Sequence, residues 1–119
     1  MKWFGKKKAP AEPELSTEDA VIIHYSLSGD EYGTVEEREA IRALEGRVAA
    51  ILQALQLGVH DGNEFGGGEA IIFCFGPDAG RLFAAIEAEL RAFPARPAVA
   101  RLVYKVGSDR DVREERVEL

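Results

Sequence analysis

Large apolar residues alternate through Ala20–Leu27. Val21, Ile23, Tyr25 and Leu27 are all large, whereas Ile22, His24 and Ser26 are mixed. A period of two marks a strand with one buried face, so the odd set is expected in the core and the even set on the far side. Ser28-Gly29-Asp30 then reads as a turn. From Thr34 the period changes. Ile41, Leu44, Val48, Ile51, Leu52 and Leu55 recur at helical spacing and form one stripe of an amphipathic helix. Thr34-Val35-Glu36-Glu37 is a capping box: the hydroxyl accepts from the Glu37 amide while the Glu37 carboxylate reaches back. Gly58 is expected to close this helix as its left-handed residue. Gly46 sits mid-helix at a cost of about 1 kcal/mol relative to alanine, and a close approach to the sheet would explain it.

Further along, Val59 to Phe65 predicts a second, weaker strand, and Gly66-Gly67-Gly68 a flexible turn. Glu69 to Phe75 is apolar on both faces, which predicts a central strand. Gly76-Pro77-Asp78 opens a second helix whose stripe is Leu82, Phe83, Ile86, Leu90 and Phe93, ended by Pro94 and Pro97. Ala98 to Val106 alternates as a fourth strand. The order β-α-β-β-α-β resembles the split βαβ pattern of the ferredoxin-like superfold. That resemblance covers about residues 20–106 and rests on element order and right-handed crossovers. It implies an α+β fold: a four-stranded antiparallel sheet with two helices on one face. The stretch from Val59-His60-Asp61-Gly62-Asn63-Glu64 to Gly76-Pro77-Asp78-Ala79 is similar to stretches of small uncharacterised bacterial proteins and points to no named family. The superfold hosts many unrelated activities, so it says little about function.

The usual strand order for such a sheet places the fourth strand beside the first, the first beside the third and the third beside the second. The open face would then carry Ile22, His24, Ser26, Val99, Arg101, Val103 and Lys105. The third strand adds either Ile71, Phe73 and Phe75 or Ala70, Ile72 and Cys74; the first set is expected, because small Ala70 and Cys74 would let helices come close. An apolar centre with a basic edge is expected, and exposed apolar patches of this kind mark partner surfaces. The partner-binding candidates are Ile22, His24, Ile71, Phe73, Phe75, Arg101, Val103 and Lys105.

Length and charge narrow the class. The 119 residues make one domain, and a formal net charge of −6 disfavours nucleic acid. A single cysteine, Cys74, forms no internal disulfide. Residues 1–17 read as a flexible basic tail and linker, 18–107 as the folded domain and 108–119 as a charged C-terminal tail, helical or solvated. Lys2, Trp3, Phe4, Lys6, Lys7 and Lys8 resemble the start of a membrane-surface contact. No apolar run is long enough to span a bilayer, and the location expected is a bacterial cytoplasm.

Catalytic chemistry finds little support. In His60-Asp61-Gly62-Asn63-Glu64, alternation puts His60 and Glu64 on one face and Asp61 and Asn63 on the other, so no metal site is expected. His24 is separated from that strand by the third strand. His24 and Ser26 share a face but lack an orienting carboxylate. Cys74 lies between Phe73 and Phe75, where thiols are inert packing. Gly66-Gly67-Gly68 precedes a strand rather than a helix, so it is no phosphate loop. The RNA-recognition motif shares this topology, but Gly68-Glu69-Ala70-Ile71 puts an acid and aliphatics where that family has aromatics. No cofactor is expected. The leading expectation is a non-catalytic protein-interaction domain, of immunity or regulatory type, binding a second copy or a foreign protein. The alternative is a dimeric ferredoxin-like enzyme or small-anion sensor, with His24, Arg101 and Lys105 lining a cleft at the sheet face.

Overall fold

A computed structural model of the chain describes residues 18–105 and 112–119. The expectations for the basic segment 1–17, and the boundary near residue 107, lie outside the described residues. The fold is α+β. Strands β1 (Asp19–Ser26), β2 (Val59–Gly66), β3 (Glu69–Gly76), β4 (Ala98–Lys105) and β5 (Val112–Glu118) form one antiparallel sheet in the order β2-β3-β1-β4-β5, and the helices are α1 (Val35–Leu55) and α2 (Ala79–Ala92).

The alternation in β1 sets the core. Val21, Ile23 and Tyr25 are fully buried, as are Ala70, Ile72 and Cys74 of β3 and Ala100 of β4. They pack with Ile41, Leu44, Val48 and Leu52 of α1 and Leu82, Ile86 and Leu90 of α2. Tyr25 reaches through this layer, and its hydroxyl donates to the Leu90 carbonyl at 2.7 Å. Burial raises the Tyr25 phenol well above its ordinary value.

Both helix starts are capped as their sequences require. Thr34 Oγ1 accepts from the Glu37 amide at 3.0 Å, and Glu37 Oε1 accepts from the Thr34 amide at 2.9 Å. Glu37 also accepts from the Ser28 amide and hydroxyl, so the box grips the preceding loop. Asp78 caps α2 through the Arg81 amide. The α1 terminus differs from expectation. The left-handed residue is Gln56, at φ 54°, two residues before Gly58. Gly58 serves a different need: a Cβ there would run into the Phe75 carbonyl oxygen, so the chain entering β2 passes close to the end of β3. Gly67 and Gly68, at φ 61° and 83°, turn β2 into β3 through a two-residue hairpin loop.

The strand count is five rather than the expected four. The additional strand, β5, lies within the segment read as a charged tail, and it pairs with β4 from Val99↔Glu118 to Lys105↔Val112. Its composition hides it, because Arg113, Glu114, Glu115, Arg116 and Glu118 leave no apolar alternation. Cross-strand chemistry replaces burial. Arg101 forms two hydrogen bonds to Glu114, at 2.9 and 3.2 Å. The Arg113 guanidinium lies 4.2 Å from the Tyr104 ring centroid. Val117 and Leu119 add partial packing on the core, and the Leu119 amide donates to the Ala98 carbonyl.

A chain shortened by residues 112–119 should lose roughly 2 kcal/mol, about half the full burial value of two apolar side chains. It should also associate with increasing concentration, because the backbone edge of β4 becomes unpaired. Thermal unfolding and light scattering check both; an unchanged melting midpoint would show that β5 adds nothing to the fold.

Candidate functional site

The sheet has one face packed against helices and one facing away. The register assigns each expected partner residue to the second face. Ile22 stands between Phe73 and Arg101; His24 stands between Ile71 and Val99; Ala20 stands between Phe75 and Val103. Lys105 continues the β4 row opposite Val112. Ile22, Ile71, Phe73, Phe75 and Val103 are all half-buried. Ile22, Phe73, Phe75 and Val103 fill the Ala20–Phe75 end of the face, whereas Ile71 stands beside His24 at the end that also carries Ser26 and Glu69.

At the polar end His24, Ser26, Glu69, Val99, Arg101 and Arg116 are among the residues that line a cavity of about 410 Å³. Lys105 is not among its lining residues: β4 carries it to the opposite end of the face. Sequence reasoning found no carboxylate to orient His24, but Glu69 supplies one. His24 Nδ1–H donates to Glu69 Oε1 at 3.1 Å. Ser26 and Glu69 are direct cross-strand partners, so the register between β1 and β3 brings the acid alongside. His24 Nε2 is buried and has no hydrogen-bond partner. Arg101 is held by Glu114, which raises its guanidinium further and lowers the Glu114 carboxyl. Arg116 approaches Glu118 only at 3.7 Å and its side chain is 63% exposed.

A second polar group lies on the helix side of β2, where alternation alone misplaced it. Register shifts between His60 and Gly62, leaving Asp61 as a bulge. His60 then pairs with Cys74 and Asn63 with Ile72, so both face α1. They meet on Glu45, whose side chain is 5% exposed. His60 Nε2–H donates to Glu45 Oε1, and Asn63 Nδ2–H donates to Glu45 Oε2 at 2.6 Å. Glu45 sits at the edge of the α1 stripe, and no sequence signal marks it as buried. Gly46 borders the shallow depression above this group, with open space where a Cβ would lie, so the expected close approach to the sheet is absent. Among the described residues no cluster of three or more His, Cys, Asp or Glu is arranged to hold a metal ion.

Cys74 is buried beside this group, and burial pushes its thiol up to about 12, aided by the Glu45 and Asp61 charges. It therefore has no thiolate character at neutral pH. Among the described residues no helix is long and apolar enough to cross a membrane. No family model, curated protein or solved structure matches the chain.

Replacing Glu45 by glutamine keeps the shape but removes the charge that takes both donors. The expected cost is about 1–3 kcal/mol in chemical denaturation. A neutral result would show that the bridge between α1 and β2 carries no net stability. The thiol gives a pH dependence of defined sign. Between the ordinary thiol range and about 12, the folded chain keeps a proton that the unfolded chain has released. Stability should therefore fall as pH rises through that window, and Cys74→Ala should flatten the fall. Denaturant midpoints across alkaline pH measure it.

Proposed function

We propose that this chain is a non-catalytic protein-interaction domain that binds through the open face of its sheet, with a second copy of the chain as the occupant. The observation that carries this reading is the contiguous apolar surface formed by Ile22, Ile71, Phe73, Phe75 and Val103, on the face away from both helices. An isologous pair needs only one such patch, used twice. Charge does not oppose it. The net charge of −6 is spread over the whole chain, whereas this face sets Arg101, Lys105 and Arg116 against Glu64, Glu69, Glu114 and Glu118. The strand order β2-β3-β1-β4 supports the ferredoxin-like reading, in which such a face is the one left uncovered by helices. A regulatory or immunity-type role in a bacterial cytoplasm goes with this reading.

The test is Phe75→Asp. A carboxylate within a sheet-to-sheet contact would be buried without a counter-charge. The wild type should sediment above monomer mass and the variant as a monomer, with little change in melting midpoint because the helix-side core is untouched. Wild-type chain that stays monomeric at high concentration would overturn the self-pairing. Unfolding of Phe75→Asp moves the test to Ile71→Asp, at the other end of the β3 row. If that variant remains folded and associates as the wild type does, the surface assignment fails.

A further inference from the structure

The open face ends in a valine on each edge strand. Val59 of β2 is 57% exposed and Val112 of β5 is 53% exposed. The register sets Val59 opposite Phe75 and Val112 opposite Lys105, so both share the face of Ile22 and Phe73. Resting on the self-pairing reading, we propose that the second copy seats on β1, β3 and β2, with Val59 inside the contact and β5 with Val112 outside it.

Area is the first argument. A stable pair buries about 800 Å² on each partner. Ile22, Ile71, Phe73, Phe75 and Val103 are half-buried already. Side chains of this kind with a third of their surface left offer together only on the order of 300 Å². The contact must therefore spread sideways, toward one edge of the sheet or the other.

Charge decides the direction. Past Ile22 and Val103 the face passes to Arg101, Glu114, Arg116 and Glu118. These ions already face partners in their own chain, Arg101 through two bonds to Glu114 and Arg116 at 3.7 Å from Glu118. Spreading that way strips water from all four and reaches apolar surface only at Val112, at the far corner. Toward β2 the balance reverses. Val59 adjoins Phe75, and Gly62 adjoins Phe73 with no side chain of its own. A Cβ at Gly62 would meet nothing within 4 Å, so there is room beside Phe73 for an incoming side chain. Glu64 and Glu69 lie toward the Ser26 end, and a contact centred on Phe75 keeps both at its margin. An isologous pair uses this surface twice, with Val59 contributed by each chain.

The test places one substitution at both corners of the face in the full chain. Val59→Asp and Val112→Asp add the same charge to the same face at side chains of nearly equal exposure, so net repulsion between copies changes alike. Sedimentation velocity over a concentration series reads association, and thermal unfolding reads the fold. Both variants should keep the wild-type melting midpoint, because neither side chain belongs to the core. Val59→Asp should raise the dimer dissociation constant at least about tenfold, since a carboxylate from each chain enters the contact. Val112→Asp should stay within about twofold of wild type, as a charge outside the contact does. Should Val59→Asp unfold, Val59→Thr keeps the shape, removes apolar surface and should still weaken association several-fold. Wild-type association in a folded Val59 variant would overturn the proposal and leave self-pairing standing. Loss of association in Val112→Asp, alone or together with Val59→Asp, would overturn the exclusion of β5. A wild-type chain that never associates would remove the self-pairing reading and this inference with it.

Discussion

Two helices hide one face of a five-stranded sheet, and the rest of the molecule is arranged around that limit. Strand β3 is apolar on both sides and β1 on one side and part of the other, yet only the odd set of β1 and the even set of β3 lie under helices. Small residues decide which set goes under. Ala70, Cys74, Ala98 and Ala100 on the helix side let the α-layer settle onto Val21, Ile23 and Tyr25, while Phe73 and Phe75 stand on the other side. A one-residue slip of β3 would drive both phenylalanines into the helices and leave Ala70, Ile72 and Cys74 outside. Burial therefore fixes the register more strongly than the ladder hydrogen bonds do.

Carboxylates hold the ends of this packing in place. Asp19 is buried at the start of β1, where Oδ2 accepts from the Ala79 amide and Oδ1 from the Lys105 amide, both at 2.9 Å. One side chain thereby satisfies an orphan donor of α2 and ties it to the end of β4. Glu45 does the same between α1 and β2, and Glu37 between α1 and the loop after β1. Each acid accepts from two or more donors, which is the condition for burying or fixing a charge without leaving it unpaired. The Glu37 carboxyl is held below its ordinary value by its Ser28 and Thr34 amide bonds.

Periodicity made the first four strands, both helices and the helix-side core legible, because each depends on apolar side chains at a fixed spacing. It also placed Ile22, His24, Phe73, Phe75 and Arg101 on one face. What it missed depends on partners distant in the chain. β5 has no apolar alternation, and its pairing comes from Arg101, Tyr104 and the backbone edge of β4. The bulge at Asp61 inverts the facing of Asn63, and nothing local to His60–Glu64 specifies it apart from Gly62, whose φ is 139°. The Glu69 contact with His24 spans 45 residues and follows only from the register between β1 and β3. Arg116 entered no candidate set because its strand was read as a tail.

The two edges of the sheet connect stability to function. An edge strand exposes unpaired backbone groups and invites further pairing. At β2 the bulge distorts the edge, and Glu64 adds charge beside it. At β5 the defence is charge of both signs along the strand. The same charges have a second consequence. Glu114 fixes Arg101, and Arg116 is set beside it by register, so a strand that resists unwanted pairing also builds the basic wall of the cavity. At the apolar end β1 and β3 contribute Ala20, Ile22, Phe73 and Phe75, and charge stays at the margin, with Glu114 opposite Val103 and Lys105 beyond it. The division of the open face into an apolar end and a polar end thus runs along the central strands themselves, which pass from Ala20, Ile22, Phe73 and Phe75 to His24, Ser26 and Glu69. The central strands carry the apolar surface that packing required of them, and the edge strand carries the charge that solvent exposure required of it.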